Sequence, residues 1–182
     1  MQRYVAFLRG INLGKRRPPM SLLKDLFEEL GFADVETFIA SGNIIFSSKA
    51  KGASALEMKI AKHLEKSLGY EVDTFVRAME EVAAVAEARI FPGEKDGTVH
   101  VGFLQQQLPA DVAKKFGAVR TAHDEIRVIG REYYWMCHGI PTNESKVWTL
   151  PEVKALKLPT STMRNLTSIR KLVAKHHSLE KS

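Results

Sequence analysis

The sequence predicts an α+β protein on a ferredoxin-like βαββαβ plan, run twice as two halves with antiparallel sheets. Three observations predict it. Apolar runs of strand length alternate with stripes at helical spacing, in the order strand, helix, strand, strand, helix, strand, as far as Val76. A weaker version of that order starts again at Val99, without matching sequence. The composition is that of a folded chain: 182 residues, 45% hydrophobic and 26% charged, enough to bury a core without cross-links.

The elements follow in order. Tyr4 to Arg9 is rich in β-formers and reads as a buried strand, closed by Gly10. After Pro18-Pro19, the residues Met20, Leu23, Phe27 and Leu30 form a helical stripe that Gly31 ends as a C′ cap. Val35 to Ala40 and Ile44 to Ser47 are the next two strands, with Ser41-Gly42-Asn43 between them as a tight hairpin signal. Leu56, Ile60, Leu64 and Leu68 recur every four residues, a second helix stopped by Gly69, and Tyr70 to Val76 is the fourth strand.

A helix over Glu80 to Arg89 leads to the second half. There Val99 to Leu104 is a strand, Pro109 to Phe116 a short helix with proline at its first position, and Glu125 to Ile129 with Glu132 to Cys137 a hairpin around Gly130-Arg131. Val147 to Leu156 is an interrupted helix broken at Pro151, Thr160 to Thr162 a short last strand, and Leu166, Ile169 and Val173 mark a closing amphipathic helix. The expected division is 1–78 for the first half and 79–182 for the connecting helix, second half and closing helix.

The net charge is +6 and the isoelectric point about 9.4. Lys15-Arg16-Arg17 forms a basic knot, and the segment from Arg164 to the end is also basic. Such a field attracts anions, although a charge of this size also serves solubility alone. Cys137 stands alone, and the apolar run at the N-terminus is too short for a signal segment, so a reducing cytoplasm is expected. No apolar stretch approaches the ~18 residues of a membrane span, so no membrane partner is expected.

Phe7-Leu8-Arg9-Gly10-Ile11-Asn12-Leu13-Gly14, Met20 and Ser41-Gly42-Asn43-Ile44-Ile45-Phe46 are similar to the motifs of a bacterial family known only as domain of unknown function 1697. Gly130-Arg131-Glu132-Tyr133-Tyr134, Ser145-Lys146 and Thr162-Met163-Arg164-Asn165 are similar to its later motifs. The chain departs from that pattern at Lys15-Arg16-Arg17, where the family often has a second glycine and an asparagine, and at Leu166, where it often has tryptophan. The resemblance implies the fold class and no activity.

The strongest chemical constellation follows from the topology. In a ferredoxin-like unit the end of the first strand, the start of the first helix and the hairpin between strands two and three share one edge. That gathers Arg9, Asn12, Lys15, the opening amides of the helix at Met20, and Ser41 to Asn43. Helix N-termini offer unpaired N–H groups to anions, and arginine adds a fork matched to phosphate or carboxylate. Against this, Arg9 has equal reason to bond loop carbonyls, and the glycines to do no more than turn the chain. The candidate ligand-binding residues are Arg9, Asn12, Ser41, Asn43, Lys146, Arg164 and Asn165, for a small phosphate- or carboxylate-bearing ligand.

Three classes stay open: a binder of that ligand at the first edge; an enzyme in which Lys146 and Arg164 stabilise charge; and an interaction module without a small ligand. Gly10 to Lys15 is one residue short of a nucleotide P-loop and lacks its hydroxyl. An RNA-recognition platform needs stacking aromatics on the third strand, which offers only Phe46, so nucleic acid is the weaker partner. No spaced Cys/His/carboxylate set and no nucleophile motif is present, so no metal and no cofactor is expected.

Overall fold

A computed structural model of the chain describes residues 1–39 and 42–177. It divides into two compact units, one of Met1–Ala84 with the chain end from Leu172, the other of Val85–Lys171. The sequence pattern sets the division at residue 78 and gives the whole closing helix to the second half. In the structure the end of that helix belongs with the first unit, where His176 meets Arg3, Glu36 and Phe38.

In the first unit the strands are β1 (Gln2–Arg9), β2 (Ala33–Thr37), β3 (Asn43–Ser48) and β4 (Asp73–Ala78), and the helices are α1 (Met20–Glu29) and α2 (Ala53–Leu68). The order βαββαβ forms one sheet, β2-β3-β1-β4, antiparallel at every pairing. α1 ends as its composition requires, with Gly31 left-handed at φ +81°. Leu56, Ile60 and Leu64 are fully buried beneath α2, and Leu68 partly so. Burying each such side chain contributes roughly 1.5–3 kcal/mol. Phe46 is the hub of this core, ringed by Tyr4, Phe27 and Phe32 at centroid distances of 5.6, 5.5 and 4.5 Å.

The turn expected over Ser41-Gly42-Asn43 falls partly outside the described residues, and the strands on either side of it have other bounds than the apolar runs suggest. β2 ends at Thr37, and Asn43 opens β3. The Phe38 N–H donates to the Asn43 carbonyl at 2.9 Å and the Asn43 side-chain amide donates back to the Phe38 carbonyl at 3.0 Å, closing the loop three residues earlier than the apolar run suggests. β2 also begins earlier, at Ala33, with a bulge where Asp34 turns left-handed between the pairs at Ala33 and Glu36.

α3 (Met79–Glu87) carries the chain into the second unit, built from β5 (Gly97–Phe103), α4 (Ala110–Gly117), β6 (Asp124–Ile129), β7 (Glu132–His138), α5 (Pro151–Ala155), β8 (Thr162–Asn165) and the start of α6 (Leu166–His176). Its sheet order, β6-β7-β5-β8, repeats that of the first unit strand for strand. The second helix of the plan is reduced to 3-10 turns at Thr142–Glu144 and Val147–Thr149 and the five-residue α5, because Pro151 starts a new helix at its N1 position. Pro109 precedes α4 as its N-cap rather than opening it. Thr162 begins β8 rather than ending it. The core gathers Phe116, Tyr133, Trp135 and Val147.

His176 gives the first unit a pH dependence. Its ring is fully buried, its Nδ1 lies 3.5 Å from Arg3 Nη2 and 3.7 Å from Glu36 Oε2, and its Nε2 has no hydrogen-bond partner. Burial lowers its pKa, with Arg3 and Lys175 acting the same way and Glu36 opposing. The unfolded chain therefore takes up the proton first. Stability is full above the unfolded histidine pKa near ~6.5 and falls as pH drops below it, until the folded group also titrates. Urea midpoints measured from pH 7.5 to 5 should fall in wild type and fall less in His176→Phe. His100, also lowered by burial, should contribute to the slope that remains.

Candidate anion-binding edge

The sheet register assembles the expected edge. The Leu8 N–H donates to the Gly42 carbonyl at 2.9 Å, so the loop before β3 lies against the end of β1. Gly42 holds φ +77°, and a Cβ there would meet Leu8 and Ile11 at 3.1 Å, so only glycine fits this close approach. From Gly10 the chain runs through an exposed loop to Pro19, the N-cap of α1. That helix starts with no side-chain cap and no acidic residue in its first turn.

Within this edge the charged groups have definite partners. Arg9 is half exposed and its Nη1 reaches Asp73 Oδ2 on β4 at 3.2 Å. Arg17 Nη1 donates to the carbonyls of Asn12 at 2.7 Å and Arg16 at 2.8 Å. The Arg16 guanidinium stacks over the Tyr70 ring at 4.2 Å, and the Tyr70 hydroxyl donates to the Ile11 carbonyl. Lys15 and Asn12 are exposed. Asn43 is 3% exposed and works from inside, as the clasp on Phe38. Ser41 lies outside the described residues. A notch between Asn12, Pro18, Met20, Ile39 and Asn43 has a volume of about 20 Å³, room for a water rather than for a ligand body. Any ligand here sits on the edge, not in a cavity.

The remaining candidates lie in the second unit, at different places. Arg164 donates through Nη1 to Thr162 Oγ1 at 2.7 Å and to the Met163 carbonyl at 2.9 Å, and burial lowers its pKa to about 10. Asn165 caps α6, its Oδ1 accepting the Thr167 N–H at 2.8 Å. Lys146 is exposed and lines a cleft with Thr121, His123, Asp124, Ile140 and Glu144, a set that does not include Arg164. Ser145 steadies the turn after it, its Oγ accepting the Val147 N–H at 3.2 Å.

The sequence pattern misses Asp124 altogether. This residue is 4% exposed and accepts hydrogen bonds from Thr121 Oγ1 at 2.6 Å, Ser145 Oγ at 2.7 Å and Trp135 Nε1 at 2.8 Å. Burial pushes its pKa up, but these donors and nearby His123 outweigh burial and hold it below the usual carboxylate value. The one local signal is Thr121 three residues ahead, the spacing of a side-chain-closed turn. Cys137 is buried near Asp124, and burial and that charge raise its pKa, which favours the protonated thiol. Among the described residues no three His, Cys, Asp or Glu side chains gather as a metal site would require, and no helix is long and apolar enough to cross a membrane.

Two units of one βαββαβ topology in a single chain define a tandem ferredoxin-like protein. The chain belongs to the family described as Protein of unknown function (DUF1697), whose model matches residues 1–134. It is similar in fold to the conserved bacterial protein SP0830 from Streptococcus pneumoniae, with a TM-score of 0.73 and 23% identity over 96% of this chain and 98% of that one. No curated protein matches it.

Proposed function

We propose that the first unit binds a small phosphate- or carboxylate-bearing ligand at the edge formed by the loop after β1 and the start of α1. One observation carries this reading: the duplication supplies two equivalent edges, and they differ in charge. Leu104 N–H donates to the Arg131 carbonyl at 2.9 Å, just as Leu8 does to Gly42 at 2.9 Å, and both following helices open after a proline without a side-chain cap. The second edge carries Gln105-Gln106-Gln107 in its loop and Arg131 in its hairpin, and Asp111 in the first turn of α4 offsets the positive end of that helix. The first carries Lys15-Arg16-Arg17 and no acid in the first turn of α1. Like charges collected at a positive helix end repel one another until an anion joins them.

A nucleic acid is the runner-up. Against it, Phe7 and Phe46 are fully buried, and the ring of Tyr70 is covered by Arg16, so no free aromatic face on these residues awaits a base. Inorganic phosphate and citrate should raise the melting temperature of the wild-type protein in a saturable way. Replacing Lys15, Arg16 and Arg17 together by glutamine should remove that rise, read for each protein against its own ligand-free melting temperature because the Arg16–Tyr70 stack and the Arg17 hydrogen bonds are lost as well. A rise that survives the triple replacement places the anion elsewhere. Tight binding of a short RNA with no response to phosphate supports the runner-up instead.

A further inference from the structure

We propose that the second unit carries a separate ligand site, the cleft beside Asp124, and that it takes a small zwitterion with an aliphatic body, in chemical terms a free aliphatic α-amino acid. The cleft measures about 460 Å³, within the range of small-molecule pockets. Its aliphatic lining comes from Ile140, Val147 and Leu150, and its polar lining from Thr121, His123, Asp124, Glu144 and Lys146, of which Thr121 and Asp124 are hydrogen-bonded to each other. Neither the Glu144 carboxylate nor the Lys146 ammonium has a partner among the described residues, although the two lie two positions apart.

The imidazole of His123 is set for a donor. Its Nδ1 lies 3.1 Å from the His138 carbonyl. A carbonyl only accepts, so Nδ1 carries the hydrogen and neutral His123 keeps its lone pair on Nε2. The cleft thus offers two acceptors for an ammonium group, Glu144 and His123 Nε2, one cation for a carboxylate, Lys146, and an apolar bed for the side chain. That combination matches an α-amino acid. A purely apolar ligand leaves three polar groups unmatched, and a simple anion faces Glu144.

The walls are fixed in advance. Thr121 on one side and Ser145 on the other both donate to the buried Asp124 carboxylate. Thr121 Oγ1 in turn accepts the N–H of His123 at 3.1 Å, and Ser145 Oγ that of Val147 at 3.2 Å. A single buried carboxylate therefore ties together the two segments that carry the ligand-facing groups, and such prior ordering lowers the cost of binding. Asp124 itself is 4% exposed and held by three donors, and it serves as a positioning residue rather than a ligand contact.

The test uses the full chain, L-leucine as probe, and ¹H–¹⁵N NMR titration. Leucine at up to about 10 mM should shift amides within 121–124 and 140–150 in a saturable way. N-acetyl-L-leucine, without the ammonium, and isopentylamine, without the carboxylate, should each bind at least ~10-fold more weakly, as should leucine to Lys146→Ala. Both groups removed in the variants Lys146→Ala and Glu144→Gln are exposed, so each should fold, which unchanged dispersion of the other amides will verify. No shift with leucine overturns the proposal. Equal binding of the N-acetyl form, or full affinity in Lys146→Ala, overturns it too. The glutamine triple at Lys15, Arg16 and Arg17 should bind leucine as wild type does, so failure of the first-unit site and failure of this one are separately visible.

Discussion

Replacing Glu57 by alanine should destabilise the protein by about 3–5 kcal/mol, the typical cost of stripping the partner from a buried charge. Glu57 is 5% exposed on α2, and Arg77 on β4 is fully buried, with Nη1 3.9 Å from Glu57 Oε1. β4 is an edge strand of its sheet, and Glu57 Oε1 also accepts the Val76 N–H at 2.9 Å. The carboxylate therefore has two tasks: it balances a guanidinium that has no water around it, and it satisfies a strand N–H. Loss of both makes the effect large. Urea unfolding should show it as a fall in midpoint. The double variant Glu57→Ala, Arg77→Met should lose clearly less than the two single variants together, since the stranded charge is gone. Strict additivity would mean that the pair is not coupled.

Gly102→Ala should be nearly as damaging, by about 2–3 kcal/mol, through overpacking. Gly102 pairs with Tyr133 across β5 and β7, and the tyrosine ring lies directly over it. A Cβ at this position would stand 2.0 Å from Tyr133 Cζ. The ring has little freedom to retreat. Its hydroxyl is hydrogen-bonded with Ser161 Oγ at 2.8 Å, and its side packs edge-on against Phe116 at 5.1 Å. The backbone angle plays no part here; the requirement is for space alone. Combining Gly102→Ala with Tyr133→Ala should therefore recover part of the loss from the glycine substitution, and a double variant as weak as the sum of the two singles would show that the ring is not the obstacle.

The first unit was readable because its signals are local. Leu56, Ile60 and Leu64 mark a buried helix face by spacing alone, and the strand runs around them leave one economical topology. The same topology predicts that the end of β1 and the segment before β3 meet, as the Leu8–Gly42 hydrogen bond shows. What escaped depends on distant partners. Arg77 looks like a solvated charge in a strand until Glu57, twenty positions earlier, is found beside it. Asp124 draws donors from Thr121, Trp135 and Ser145, which no periodicity connects. His176 closes on Arg3 from the other end of the chain. Asn43 lies in the neighbourhood the topology predicts, but its clasp on the Phe38 carbonyl is a contact no spacing reveals. Lys146 stands in a motif, but its companions His123 and Glu144 come from the reduced second half, where the helical pattern breaks up.

The first-unit edge is tested most directly at Asp73. This carboxylate holds Arg9 at 3.2 Å, in an exposed pair of the kind that contributes at most about 1 kcal/mol to stability. If an anion binds at the edge, Asp73 competes with it for Arg9 and repels it. Isothermal titration of inorganic phosphate should then find Asp73→Asn binding several-fold tighter than wild type, and Arg9→Ala about 10-fold weaker, as loss of a charge-assisted hydrogen bond implies. Phosphate affinity that is unchanged in both variants, or lower in Asp73→Asn, would contradict an anion site at this edge.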